Sequence, residues 1–280
     1  MSLTFKFLGT GTSVGVPQIG CDCPVCTSAD PRDKRRRCGA YVASGDSAFL
    51  IDTPPELREA CIQHSVKKVD AVLLTHAHMD HIAAFDDIRR FNTINGEVVP
   101  CDPASPGANG RTVRVIGKVM KCYALPETIA SMRSIFPYIS TQGGGGGLYR
   151  PQVEFVENTA PFSIGGIEIE AFRVEHGFPC CGYVFTAEDG KRLAYISDCH
   201  DIPDDVVEKI AGVEILVLNC LRVREHPTHL SLARALEYIS RISPREAYLT
   251  HLCHDLKYTD WLERLPEGVE PAYDGLELSL

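Results

Sequence analysis

Alternation is the first regularity along this chain. Leu3 to Leu8 places apolar residues mostly at every second position, the period of a half-buried strand. Ala40–Ala43 and Ala48–Asp52 read as a hairpin turning through Ser44-Gly45-Asp46-Ser47. Ala71 to Leu74 is a short unbroken apolar run, long enough for a buried strand and too short for a helix. Strands return at Val153–Val156, Ile167–Val174, Tyr183–Thr186, Leu193–Ile196, Ile215–Leu218 and Glu246–Leu249. The period turns helical from Glu56, behind Pro55, to about His64, and again over Ile82–Arg90 and Leu125–Phe136. A last amphipathic helix carries Leu232, Ala235, Leu236 and Ile239 on one face and ends near Ile242. Residues 92–112, rich in Pro, Gly, Asn and Asp, read as a surface excursion, and Gln142 with Gly143–Gly147 as a mobile loop or lid.

No linker-like stretch interrupts these elements, so residues 1–280 are expected to form one domain with one substantial core. The formal net charge of -9 argues against a general nucleic-acid binder. No apolar run approaches the ~20 residues that span a bilayer, and the N-terminus lacks a signal-peptide shape. A cytoplasmic protein without a membrane partner is the expectation. Twelve cysteines in a reducing compartment then read as metal ligands or small buried residues instead of disulfides.

The apolar run at Leu74 breaks into Thr75-His76-Ala77-His78-Met79-Asp80-His81. Three imidazoles and a carboxylate within six residues are the ligands that Zn²⁺ and similar ions prefer, and packing gives no reason to crowd them there. Cys21-Asp22-Cys23-Pro24-Val25-Cys26 is compact enough for Cys21, Cys23 and Cys26 to converge on one structural zinc. His254 is the natural fourth ligand, with Cys253 as an alternative. Beyond that cluster, Arg32, Lys34, Arg35, Arg36 and Arg37 read as a solvated loop, with a phosphate-attracting rim as the functional reading. Gly9-Thr10-Gly11-Thr12-Ser13 lacks the spacing and the lysine of a P-loop. It reads as a tight turn that brings backbone close to the metal ligands. His64 is read as structural.

The x-H-x-H-x-D-H pattern resembles the signature of the metallo-β-lactamase-fold hydrolases. The G-T-G-T-S-x-G-V-P opening, the C-x-C-x-x-C cluster and the T-H-x-x-H ending together look like one branch, that of the phosphoribosyl 1,2-cyclic phosphate phosphodiesterase. The resemblance runs from Gly9 to His254 and is weakest around 92–112 and the polyglycine loop. It implies an α/β fold, an αββα sandwich of two mixed sheets flanked by helices. It implies two divalent ions, zinc or manganese: His76, His78 and His176 on one, Asp80, His81 and His251 on the other, Asp198 bridging. It places Asp52 behind the ligands as a support, favours His254 as the fourth zinc ligand, and makes His229 the general acid, with His226 as rival. His200 is the less expected ligand.

That constellation implies hydrolysis of a small cyclic phosphate or related phosphodiester. A metal-bridging hydroxide attacks phosphorus, and Asp80 is essential as a ligand. His229, free of metal and with a pKa near ~6.5, protonates the leaving oxygen. Two other readings compete. A tRNA 3′-processing-type endonuclease of the same fold is opposed by the acidic chain. A non-enzymatic carrier like the pyrroloquinoline quinone biosynthesis relatives is opposed by retention of all seven candidate ligands. A small-molecule substrate and, at most, a homodimer are the expected partners.

Overall fold

The computed structural model describes residues 2–105, 108–139 and 150–280. The glycine stretch 143–147, expected as a loop, lies outside the described residues. Two seven-stranded sheets pack face to face. The first runs, in spatial order, Glu277–Ser279, Leu3–Gly9, Gly39–Ser44, Ser47–Ile51, Ala71–Leu73, Met120–Ala124, Val153–Glu157. The second runs Val269–Pro271, Glu246–Thr250, Ile215–Asn219, Arg192–Ile196, Cys180–Thr186, Ile167–Val174, Phe162–Ile164. Each sheet has an antiparallel half and a parallel half, so both are mixed.

Side-chain alternation divides the apolar residues among three interlayer spaces. Phe5, Phe49, Ile51, Leu73, Tyr183, Phe185, Ile215 and Val217 fill the space between the sheets. Their sequence neighbours Leu50, Val72 and Leu74 point the other way, onto the helices Leu57–Gln63 and Pro126–Ile135. Leu216 and Leu218 likewise turn to the helices Asp204–Lys209 and Leu232–Ile242 on the far side. Four layers result, helix–sheet–sheet–helix, as the period-2 strands and the amphipathic 232–242 segment require. Burying a single Leu or Phe of these faces contributes about 1.5–3 kcal/mol, so a charge at Leu73 or Val217 would break the sandwich.

Several expectations change. Ile82–Arg90 is not one helix; Met79–Ile82, a 3-10 turn at Phe85–Ile88 and Arg89–Ile94 replace it. The break arises because Thr53 N–H donates to the His81 carbonyl and Ala84 N–H donates to the Thr53 carbonyl, taking both out of the helical ladder. The 92–112 excursion begins with the end of that helix. It contains Glu97–Pro100, which pairs with Val113–Ile116 as an antiparallel ribbon. Strands at Met120–Ala124, Phe162–Ile164, Val269–Pro271 and Glu277–Ser279 were not anticipated. They are short, and their places are set by pairing instead of by alternation.

The basic run is more than a solvated loop, because its arginines are tied to specific partners. Arg35 is buried, and its guanidinium donates to the Cys253 and Leu256 carbonyls beside Asp33. Arg36 faces Glu59, Gln63 and Asp274, Arg37 faces Glu56 and the Ser13 carbonyl, and Arg32 pairs with Asp30 over the Tyr258 ring. The Gly9–Ser13 turn allows a close approach on two sides: Thr10 and Thr12 exchange backbone hydrogen bonds with Leu252, next to His251, and its glycines meet the Arg35–Arg37 backbone. A Cβ at Gly9 would lie 2.0 Å from the Arg37 carbonyl oxygen.

Candidate metal centre

The parallel strands of both sheets end along one edge, where the loops carry the polar residues. Ser47–Ile51 delivers Asp52, and Ala71–Leu73 delivers Thr75 to His81. Arg192–Ile196 delivers Asp198, Ile215–Asn219 leads to His229, and Glu246–Thr250 delivers His251. Asp52 and His251 both hold left-handed backbone, at φ 62°, a conformation non-glycine residues adopt at a cost. Strain thus coincides with the polar edge.

Asp52 organises the histidine loop from behind. Its Oδ1 accepts from Thr75 N–H at 2.8 Å and its Oδ2 from the Thr75 hydroxyl at 2.8 Å. The same Oδ2 lies 2.7 Å from His81 Nδ1, which must be the protonated nitrogen, leaving the Nε2 lone pair free. Because the Thr75 hydroxyl proton goes to Asp52, its oxygen accepts from His76 Nδ1–H at 2.9 Å, and His76 also presents Nε2. His176 Nδ1–H donates to the Thr228 carbonyl at 3.0 Å and presents its own Nε2. Three imidazole tautomers are therefore fixed by acceptors on the far side of each ring.

These lone pairs converge in groups. The ring nitrogens of His76, His78 and His176 form one, with His78 Nδ1 lying 2.9 Å from His76 Nε2 and 3.3 Å from His176 Nε2. Asp80, His81 and His251 form another, with Asp80 Oδ2 lying 3.3 Å from His81 Nε2 and 3.9 Å from His251 Nε2. Asp198 stands between the groups. Its Oδ2 is 3.1 Å from His81 Nε2, and its Oδ1 is 3.1 Å from His251 Nε2 and 3.9 Å from His176 Nε2. Buried atoms without a hydrogen bond include His81 Nε2, His251 Nε2 and Asp198 Oδ2. Buried nitrogens and carboxylate oxygens facing one another are costly unless a cation lies among them, a proton or a metal ion, and this set of imidazoles and carboxylates fits divalent metal ions.

Electrostatics follow the same pairing. Burial pushes Asp52 up and His76 well down. Burial also opposes charge on Asp80 and Asp198, yet the facing His251 and His81 hold both carboxylates below their ordinary range. His251 is lifted to about 9 because Asp198 and Asp80 outweigh its burial.

His229 lies outside these two triads but forms a further group with His176 and Asp198. Its Nδ1 is 3.7 Å from Asp198 Oδ1, and its ring stacks on His251 with centroids 4.6 Å apart. Burial first, then the charge of His251, pushes it down to about 2 instead of leaving it near the ordinary histidine value. His226 is farther out, 5.2 Å from His229 between ring centroids. His200 joins neither group among the described residues.

Sequence reading overlooked the supports. Asn219, fully buried, donates to the Ser197 carbonyl at 2.8 Å, accepts from Leu230 N–H at 2.9 Å and lies 3.4 Å from His229 Nδ1. It ties the Asp198 strand end to the His229 segment. Tyr183 donates to the Leu74 carbonyl at 2.7 Å and accepts from Asn158 at 2.9 Å, bracing the base of the histidine loop. Asn219 closes the strand Ile215–Asn219, which is a weak signal, and Tyr183, inside the strand Cys180–Thr186, offered none.

The second cluster gathers Cys21, Cys23 and Cys26, with sulfurs 3.4, 3.5 and 3.4 Å from His254 Nδ1. The alternative ligand, Cys253, is not part of this group. The Cys26 N–H lowers the Cys23 thiol to about 6. Three thiols and one imidazole nitrogen suit tetrahedral zinc.

Residues 47–252 match the family model described as the beta-lactamase superfamily domain. The chain belongs to the beta-lactamase superfamily. A crystal structure titled as a new diphosphatase from the PhnP family superposes on this superfamily member with a TM-score of 0.83. It is 33% identical, and the alignment covers 100% of this chain and 98% of that one. A Porphyromonas gingivalis protein named octanoyltransferase is 31% identical over 274 residues, covering 96% of this chain but 50% of that protein. This chain thus spans half the length of that relative. Coenzyme PQQ synthesis protein B of Methylorubrum populi is 26% identical over 230 residues, covering 76% of this chain and 71% of that protein. The αββα sandwich of this metal-dependent hydrolase fold is the architecture expected from the histidine motif. No helix among the described residues is long and apolar enough to cross a membrane.

Proposed function

We propose that residues 1–280 form one cytoplasmic domain that is a dinuclear metal-dependent phosphodiesterase. Its substrate is a small cyclic phosphate or a related diester, diphosphate diesters included. The observation that carries the reading is the Asp198 carboxylate, 3.1 Å from His81 and His251 of one ligand group and 3.9 Å from His176 of the other, standing between the two. His76, His78 and His176 would hold one ion, Asp80, His81 and His251 the other, and Asp198 both. Cys21, Cys23, Cys26 and His254 would hold a structural zinc.

Bound zinc or manganese ions would supply a hydroxide near neutral pH and neutralise phosphate oxygens. The chain's own residues do the rest. Asp52 and the Thr228 carbonyl hold the ligand rings in one tautomer, so the cation-binding lone pairs need not reorganise. Burial and the neighbouring His251 disfavour a proton on His229. An entering phosphate anion reverses that balance, since a nearby negative charge favours imidazolium. His229 then takes a proton from solvent water and gives it to the leaving oxygen, which would otherwise depart as an alkoxide, and ends neutral as it began.

The diphosphatase of the PhnP family is the support for a phosphate substrate. The octanoyltransferase name belongs to a protein twice as long and adds no reaction here. A tRNA 3′-processing reading is opposed by the acidic chain, and a carrier reading by the full donor set. The test is hydrolysis by metal-loaded protein of a panel of cyclic nucleotides, cyclic sugar phosphates, diphosphate diesters and bis-aryl phosphates, with a tRNA precursor as control. Turnover of the precursor alone would replace the small-molecule reading.

A further inference from the structure

The residue following His176 and Gly177 is Phe178, and its ring lies 5.0 Å from the ring of His78, tilted by 31°. It is 37% exposed, the highest for any phenylalanine among the described residues. Phe178 belongs to none of the three hydrophobic layers. Gly177 makes the placement. It has left-handed backbone at φ 77°, and a Cβ there would meet nothing within 4 Å, so the requirement for glycine is conformational. The turn places the Phe178 ring beside that of His78. Met79, next to His78, is 55% exposed, so a second apolar side chain lies uncovered at a residue adjoining this group. Large apolar side chains left uncovered at the rim of a polar centre mark a binding surface more often than a packing fault.

We infer that Phe178 is a specificity-determining residue, a stacking platform for a planar group carried by the substrate beside its phosphate. The substrate class is thereby narrowed to nucleoside or aryl phosphodiesters. This rests on the phosphodiester reading above. One side of the ring lies against His78, and its exposure leaves area for a flat ligand group. Such a group would stand within one ring's reach of the nitrogens of His76, His78 and His176. A sugar phosphate without a base would leave the ring in water and gain nothing from it. Base–aromatic stacking contributes enough to separate the two kinds of ligand by about tenfold.

The experiment is calorimetric titration of metal-loaded protein with adenosine 5′-monophosphate and, separately, ribose 5-phosphate. The two share the phosphate and sugar and differ by the base. Wild type should bind the nucleotide about tenfold more tightly. Phe178→Ala should bind both equally with unchanged metal content, while Phe178→Trp should restore the preference. A preference for the nucleotide that survives Phe178→Ala overturns the assignment, as does equal binding of both by wild type. Failure of both ligands to bind wild type would instead bring down the phosphate reading of the centre, and this inference with it.

Discussion

Asp52 Oδ2 lies 2.7 Å from His81 Nδ1, and both side chains are sealed from solvent. Through the Thr75 hydroxyl the same carboxylate also sets the tautomer of His76, so one buried group aims a nitrogen into each of the two ligand groups. An amide cannot accept from all of these donors at once. Asp52→Asn should therefore weaken divalent metal affinity by about 10–100-fold, read by competition with a chromogenic chelator. Unaltered affinity would mean that the ligand rings are held by packing alone.

Cys23→Ser tests the second cluster. Its sulfur lies 3.5 Å from His254 Nδ1, and the cluster joins the N-terminal loop to the segment that carries His251. The variant should lose one zinc equivalent and melt at lower temperature, because structural zinc contributes folding energy directly. Elemental analysis finding zinc only at the histidine centre of wild type would end this reading.

The histidine motif was legible because three imidazoles and a carboxylate packed into residues 76–81 have no packing purpose, and strand alternation was legible because each face meets a different layer. What the sequence hid is set by tertiary pairing. Arg35 looked solvated within a basic run, yet backbone carbonyls at 253 and 256 draw it inside. The Ile82–Arg90 helix pattern gave way because Thr53 competes for its hydrogen bonds. Asn219 and Tyr183 brace the centre through single polar atoms, which leave no periodic trace.

Stability of the metal-free protein should depend on His251. Its pKa is lifted from 6.5 to about 9, so the native chain keeps a proton that the unfolded chain releases between those values. This contribution is complete below pH 6.5 and fades as the pH rises through about 9. Chemical unfolding in chelator should show wild type losing its advantage over His251→Gln across that window. An advantage that grows with pH would contradict the sign.

His229 also groups with His176 and Asp198, but the proposed ligand set omits it, so His229→Ala should keep full metal content. Turnover should fall by about 10²–10⁴-fold on a diester with a poor alkoxide leaving group, and much less when nitrophenolate leaves. Equal losses on both substrates would show that His229 positions the phosphate and does not protonate the leaving oxygen.

Two ions bridged through Asp198 are the centre of this account, and Asp80 is a ligand whose side chain is partly exposed, at 14%, so its removal disturbs packing little. The direct measurement is metal analysis paired with hydrolysis of bis(p-nitrophenyl) phosphate, on wild type and Asp80→Ala. Wild type should carry two ions beyond the cysteine-bound zinc and turn over the diester. The variant should keep its fold by circular dichroism, lose an ion and lose turnover. Undiminished occupancy with full activity in Asp80→Ala would contradict the dinuclear assignment.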